Sequence, residues 1–422
     1  MKNLLLLLYS VCVWECTFSQ ENASLRSKTP LDFRLRFNLE NDSSVVRLFD
    51  TSFLRLVPGK ALREYLRTFK DKFGYLNALS LQNSTTTEDQ YAASFTLDSN
   101  FIMRLSVNRS GKISSMFIRP KVTSDTSVKH TNNIWLKKFN LNIPGSILIP
   151  PAVVHPPIVI FVAGSGPTDR NGNNEFGLRT NAYLKISTAL LEKGIGSLRY
   201  DKRLSGEIYK VDERSVLVDS LVDDLRGWIN KLRIEYPNSK IVIFGHSEGA
   251  LVGMVAAQTS PVDGFVSACA SSLNYEKLLL KQIRSKYQPD LQIEAKSILD
   301  EIKMTDKMNS SSSPLLSTIF RPSIIPFLSS IIKIEPTVEI AKLKCPILFI
   351  QGTQDLQVDS NDAILLRKHC KNGQLKIISG MNHIFISVNN DEASNINTYS
   401  SPDLPLHKEL VPIITSFINL IK

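Results

Sequence analysis

The chain is poor in cysteine, with five in 422 residues, and Cys12 and Cys16 lie in or beside the N-terminal apolar run. The odd remainder, Cys269, Cys345 and Cys370, argues against a disulfide-built fold even in an oxidising compartment. Cys269 and Cys345 stand in apolar strand-like runs and are expected in the core. Past the N-terminal run, no segment reaches the roughly 20 apolar residues needed to cross a bilayer, so no integral membrane segment is expected after leader cleavage. Charge is not concentrated: the net +10 is spread over scattered basic residues with acidic neighbours. That pattern excludes a nucleic-acid-binding stripe and allows only mild attraction to anionic surfaces. The six histidines and the later cysteines lack metal-ligand spacing, so no metal is expected. There is no internal repeat.

The first segment, "MKNLLLLLYSVCVWECTFSQ", carries Lys2, an uncharged apolar run from Leu4 to Trp14, and small residues near Thr17 and Ser19. This layout predicts a signal peptide over 1–19, cleaved before Gln20, and hence a secreted or periplasmic protein. A buried N-terminal helix would need an amphipathic pattern that the run lacks. A lipid anchor on Cys16 would want small residues where Val13, Trp14 and Glu15 stand.

Residues 20–40 are polar and irregular and are expected to form a linker. From Val45 the pattern turns helical: Leu62, Tyr65, Leu66, Phe69 and Phe73 recur at helical spacing and give one apolar face. Strand-like alternation follows in "YAASFTLD" and "FIMRLSVNRSGKISSMFIRP", where Asn108 to Gly111 reads as a hairpin turn. Helix followed by antiparallel strands predicts a small α+β domain over 41–120, its aromatic stripe forming the core. The pattern is similar to nuclear-transport-factor-like or cystatin-like modules. The polar, aperiodic 121–133 is expected to be a second linker.

From 134 to 422, strands and helices alternate. The strand runs are "PIVIFVAG", "GIGSLRYD", "KIVIFGHS", "GFVSACA", "CPILFIQG" and "LKIISG", with helices near 181–193, 216–236 and from Glu248. Strands apolar on both faces predict a mostly parallel sheet covered by helices, an α/β class. Residues 271–341 interrupt the alternation. Partly helical and placed after a strand's carboxyl end, they would cap the ligand edge of the sheet.

Within this setting "IVIFGHSEGALVG" places Ser247 between a strand and a helix of small residues, with Gly245 and Gly249 two positions either side. A serine on such an elbow is strained and tightly packed, so those two positions tolerate little beyond glycine. Its hydroxyl is lifted to a helix N-terminus, where backbone N–H groups favour developing negative charge. It needs a base and an orienting carboxylate, in the chain order Ser, acid, His. His383, in "SGMNHIF", follows a strand and is the expected base. His246 precedes the serine and is expected to point elsewhere. His369 falls in a charged helical run and is expected to face solvent, and no strand delivers His407. The expected acid is Asp355, the first carboxylate past "CPILFIQG", with Asp359 as the rival. Backbone N–H groups of Ser165, in Gly164-Ser165-Gly166-Pro167, and of Glu248 are the expected oxyanion donors. The same stretch does not fit G-x-G-x-x-G dinucleotide binding.

"AGSGPTDRNGN", "LRYDKR", "GHSEGALV", "GTQD" and "GMNH", in that order, give residues 155–421 a family likeness. The chain resembles the α/β-hydrolase superfamily, in its secreted esterase branch related to serine aminopeptidase-like hydrolases. The resemblance implies an α/β-hydrolase fold with a helical cap and a cofactor-free carboxylesterase of short acyl chains. It also implies Ser247 as nucleophile, His383 as base, Asp355 as orienter, and Ser165 with Glu248 as oxyanion donors. Asp169, Arg170, Arg199 and Asp201 match family landmarks and are read as a buried charge network holding loops, with direct substrate contact as the alternative. Leu204 departs from the family, standing where relatives usually have glycine. The expected partner is a small-molecule ester. Thioester or peptide hydrolysis by the same triad, and a non-catalytic binding protein of this fold, stay open.

Overall fold

The computed structural model describes residues 22–421 apart from 40–42, 85–87, 98–100, 121–131, 139–140, 175, 209–210, 286, 309–312, 314–315 and 317–318. The leader expected over 1–19, with Cys12 and Cys16, and most of the linker expected over 121–133 lie outside the described residues. The chain divides into two compact units, one within 1–127 plus 312–321 and one within 128–311 plus 322–422.

The first unit carries a four-stranded antiparallel sheet in the order β1 (Leu76–Ser84), β2 (Glu88–Phe95), β3 (Phe101–Asn108), β4 (Ile113–Pro120). Alternation sends Tyr91, Ala93 and Phe95 inward from β2, and Met103, Leu105 and Val107 inward from β3. The helix Gly59–Phe73 contributes Leu62, Leu66 and Phe69 to the same core, whereas Tyr65 is 39% exposed at its margin. The turn between β3 and β4 closes as expected. Asn108 Oδ1 accepts the N–H groups of Ser110 and Lys112 at 3.1 and 3.0 Å, and Gly111 takes φ 68°.

The linker expected over 20–40 is corrected where the residues are described: Asn22–Asn38 is a helix whose Phe33 and Phe37 are buried in this core. Two aromatics one turn apart make too narrow a stripe to stand out from basic and polar neighbours, and Pro30 inside the helix further disguises the pattern.

The second unit is built on eight strands: β5 (Asn132–Lys138), β6 (Leu141–Leu148), β7 (Ile158–Val162), β8 (Gly196–Tyr200), β9 (Ile241–His246), β10 (Gly264–Ala268), β11 (Ile347–Gly352) and β12 (Gly373–Ile378). Their order across the sheet is β12-β11-β10-β9-β7-β8-β6-β5. β7 to β12 run parallel and β5 and β6 antiparallel. The five strands β7 to β11 are buried at every residue, which requires cover on both faces and explains their unbroken apolar runs. Helices Ala182–Leu191 and Leu410–Asn419 pack on one face, through Ile186, Leu190, Ile414 and Phe417. Burying a side chain such as Phe161 or Phe244 in that layer contributes about 1.5–3 kcal/mol. β5 and β12, at the edges, are partly exposed.

Between β10 and β11 lie the helices Tyr275–Arg284, Pro289–Thr305, Ile325–Ile331 and Pro336–Ala341, so the 271–341 interruption is helical and follows a strand's carboxyl end. The three later cysteines are free. Cys269 is buried at the end of β10, but Cys345 is only half-buried, because it precedes β11 rather than lying within it.

Candidate active site

Parallel strands deliver their carboxyl ends to one edge of the sheet, and the expected site residues follow four of them. Ser165 comes after β7, Ser247 after β9, Asp355 after β11 and His383 after β12. This is the edge where open α/β sheets bind ligands.

Ser247 has φ 55° and ψ −122°, a conformation side chains seldom adopt, between β9 and the helix Glu248–Ala256. The strain is held by its N–H, which donates to Ala268 O at 2.9 Å, and by its carbonyl, which accepts from Ala250 N at 3.0 Å. The flanking glycines are required by contact. A Cβ on Gly245 would lie 2.5 Å from Ala250 Cα, and one on Gly249 would lie 2.2 Å from Val162 O.

Asp355 and His383 meet: His383 Nδ1 donates to Asp355 Oδ2 at 2.7 Å, and both side chains are buried, at 5% exposure for His383 and 0% for Asp355. Asp355 Oδ1 accepts the N–H groups of Gln357 and Val358 at 2.8 and 3.0 Å, and Oδ2 also accepts Gln351 Nε2 at 2.8 Å. Burial alone would raise this carboxyl. The charge and hydrogen bond of His383, with the two backbone donors, carry it below the usual carboxylate value instead. With Nδ1 directed at Asp355, the ring in its neutral form has an Nε2 lone pair left for another donor. Among the described residues neither that nitrogen nor Ser247 Oγ makes a hydrogen bond, so the Ser247–His383 link is open in this structure. Catalytic hydrogen bonds commonly tighten only once substrate is bound. The rival Asp359 is occupied elsewhere, as the N-cap of the helix Ser360–Lys368, accepting Asn361 N–H at 2.8 Å.

His246 does not turn away from the site. Its ring lies 4.8 Å from that of His383, and its Nε2 is 2.9 Å from the His383 carbonyl oxygen. A carbonyl can only accept, so Nε2 carries the proton and Nδ1 is the acceptor. The Tyr183 hydroxyl therefore donates to Nδ1, at 2.8 Å, while it accepts the Gly164 N–H at 3.4 Å. Burial, reinforced by the charge of His383, depresses His246 to about 3. This neutral network ties the loop after β7, the elbow and the His383 loop together. Asn382, fully buried, fixes the same loop, donating to Asn395 Oδ1 and Thr398 Oγ1 and accepting the N–H groups of Ile384 and Ile386. Sequence reasoning misses Tyr183 and Asn382, since neither belongs to a recognisable spacing. Of the other histidines, His369 is exposed as expected, and His407 is buried against Ser379 O at 3.1 Å.

The Asp169–Asp201 group holds loops. Arg170 makes a paired contact with Asp201, at 2.9 and 2.8 Å, and Asp169 Oδ1 accepts the N–H groups of Asn171 and Asn173 at 2.8 and 2.9 Å. Arg199, almost wholly buried, donates to Asn171 Oδ1. Burial raises Asp169 to about 6 and lowers Arg199 to about 10. Leu204 takes φ 70°, so the backbone keeps the left-handed conformation that glycine would favour and carries a leucine through it.

His246, Cys269 and His383 place potential ligand atoms within 4.8 Å of one another, a convergence their sequence spacing does not reveal. Two of the three are otherwise engaged, His246 and His383 as described. Burial and the Asp355 charge push the Cys269 thiol well above its usual value, opposing the thiolate a metal would want. This donor set does not suit a cation.

The protein family described as "Serine aminopeptidase, S33" matches residues 176–388, half of the chain and a span that includes Ser247, Asp355 and His383. The chain belongs to that family. Its fold is the α/β-hydrolase fold, with a small antiparallel unit before it. Esterase EstD of Thermotoga maritima is 24% identical over 339 residues, 78% of each chain. Among solved structures, the ferulic acid complex of Est1E from Butyrivibrio proteoclasticus is similar at 14% identity and TM-score 0.46, over 68% of this chain and 98% of that one. The Pyrococcus furiosus esterase Pf2001 is similar at 16% identity and TM-score 0.47, over 72% and 96%.

Proposed function

We propose that this family member is an exported serine esterase acting on carboxylic esters of short acyl chains. The observation that carries the reading is the 2.7 Å Asp355–His383 hydrogen bond, its ring packed beside the residue that precedes the strained Ser247. Ser247 Oγ attacks the ester carbonyl while His383 Nε2 takes its proton. The N–H groups of Ser165 and Glu248 hold the oxyanion, and His383 then protonates the departing alcohol. Water, activated by the same nitrogen, releases the acid from the acyl-enzyme. Ser165 is exposed, and its N–H donates to no protein acceptor among the described residues, as a group reserved for substrate requires. The esterase name of the Thermotoga maritima relative supports the same class of reaction.

Peptide hydrolysis from a free amino terminus would need an unneutralised carboxylate in the cap, where Glu276 and Glu294 stand. Glu276, buried there, is held by Lys303 at 2.7 Å and faces Lys296 at 3.8 Å, which takes that residue out of the role. The small N-terminal unit is read as a nuclear-transport-factor-like or cystatin-like module on its helix-and-antiparallel-sheet pattern. The location outside the cytoplasm rests on the leader pattern of 1–19, and a mature N-terminus at Gln20 is its check.

The test is a panel of acyl esters, acyl thioesters and aminoacyl anilides on the full chain and on Ser247→Ala, with fluorophosphonate labelling. Ester turnover and labelling should both vanish in the variant. Undiminished turnover would discard the mechanism, faster anilide turnover would reassign the substrate, and an unlabelled folded wild type would favour a binding protein.

A further inference from the structure

Lys202, the residue after Asp201 at the end of β8, takes no part in the mechanism above, yet its ammonium reaches both segments that would hold the oxyanion. Lys202 Nζ donates to Gly164 O at 2.9 Å and to Glu248 Oε1 at 2.6 Å. Both side chains of the ion pair are largely buried, Lys202 at 11% and Glu248 at 4% exposure. The backbone of Lys202 is anchored as well: its N–H donates to Thr168 O at 3.3 Å, and its carbonyl accepts from Ser205 Oγ at 2.6 Å. Ser205 Oγ also lies 2.8 Å from Thr168 O.

The Gly164 carbonyl belongs to the peptide unit whose N–H is that of Ser165. In a planar trans peptide the two bonds point in opposite directions, so fixing the oxygen fixes the direction of the N–H. An ammonium on the oxygen also polarises the amide and strengthens its donor. The second contact holds Glu248, whose N–H is the other donor. We infer that Lys202 is a positioning residue for the oxyanion hole, setting the Ser165 N–H through the Gly164 carbonyl and pinning it to Glu248. The inference rests on the proposed Ser165 and Glu248 donors.

A positioning group for an oxyanion should matter to the tetrahedral state and hardly at all to the bound ester. Lys202→Met in the full chain should lower kcat about 10- to 100-fold with KM changed less than about threefold, less than the roughly 10²–10³-fold that removing an oxyanion donor outright costs. Affinity for a trifluoromethyl ketone, which forms an oxyanion on the serine, should fall by the same factor as kcat. Because Lys202→Met leaves a buried carboxylate unpaired, the double variant Lys202→Met/Glu248→Gln serves if the single one does not fold, and it should show the same parallel loss. Ketone affinity unchanged in a folded Lys202→Met or double variant would overturn the assignment. The serine mechanism stands or falls separately, on whether Ser247→Ala is inactive.

Discussion

His246 Nε2 donates to the main-chain carbonyl of His383 across 2.9 Å, so the loop bearing the proposed base hangs from the residue next to the proposed nucleophile. The tautomer that makes this bond is selected by Tyr183, whose hydroxyl occupies the other nitrogen. Tyr183→Phe keeps the ring and deletes the hydroxyl, leaving His246 Nδ1 and the Gly164 N–H without it. A buried polar group left unsatisfied costs about 1–3 kcal/mol. Denaturant unfolding should show a loss of that size, and kcat should fall because the network, through His246, ties the loop of the proposed base to that of a proposed oxyanion donor. An unchanged unfolding midpoint would show that the network adds nothing.

Asp355 and Asp359 share one loop and have different jobs. Asp355→Asn should lower kcat by roughly 10³–10⁴-fold, since the carboxylate that holds the His383 tautomer is replaced by an amide. Asp359→Ala removes an N-cap and should cost about 1 kcal/mol of stability while leaving kcat within about twofold. Steady-state kinetics and thermal melts on the two variants decide the matter, and a reversed pattern would transfer the role to Asp359.

What the sequence discloses and what it hides follow from how far each signal reaches. Ser247, Asp355 and His383 each follow an apolar strand run, so their positions at one sheet edge can be inferred without knowing any contact. The glycines at 245 and 249 carry their own reason, a backbone too close for a Cβ. Contacts that depend on the register between strands leave no trace in the chain. Tyr183 and His246 are 63 residues apart, Lys202 and Glu248 are 46, and nothing local marks either pairing. His246 is misread from the sequence because direction along a strand says which face a side chain takes and not what waits there. β5 and β6 escape notice too, Pro144 and Gly145 breaking the apolar run that betrays the inner strands.

Gly249 tests the packing of the elbow apart from its chemistry. Gly249→Ala would set a methyl group 2.2 Å from Val162 O and 2.5 Å from Ala163 O, which are backbone atoms of β7 and its following loop and cannot swing aside. Either the helix shifts off the sheet or the loop moves, and overpacking of that kind costs about 1–3 kcal/mol or more. The expected outcome is a lower melting temperature together with slower fluorophosphonate labelling, because the displaced loop carries Ser165. Full stability in the variant would show that the approach between helix and strand is looser than these distances imply.

Stability against pH should carry two opposing slopes from groups buried near the site. His246 titrates near 3 in the fold and near 6.5 when unfolded, so between those values the unfolded chain binds a proton that the folded one refuses. Its contribution is complete above pH 6.5 and is lost as pH falls, by up to about 1.4 kcal/mol per unit. Asp355, depressed, acts in the same sense, its share disappearing as pH drops through its folded value. Asp169 is raised to about 6 from 3.8, chiefly by burial, so the folded chain holds the extra proton and stability is lost as pH rises from 3.8 to 6. Between about pH 4 and 6 the slopes of His246 and Asp169 therefore cancel in part. Asp169→Asn preserves an oxygen for the Asn171 and Asn173 amides and removes the titration. Urea unfolding at about pH 4, 5 and 6 should give a rise with pH steeper than wild type by up to about 1.4 kcal/mol per unit. Identical slopes in the two proteins would mean that Asp169 is ionised throughout this range and that its burial is compensated.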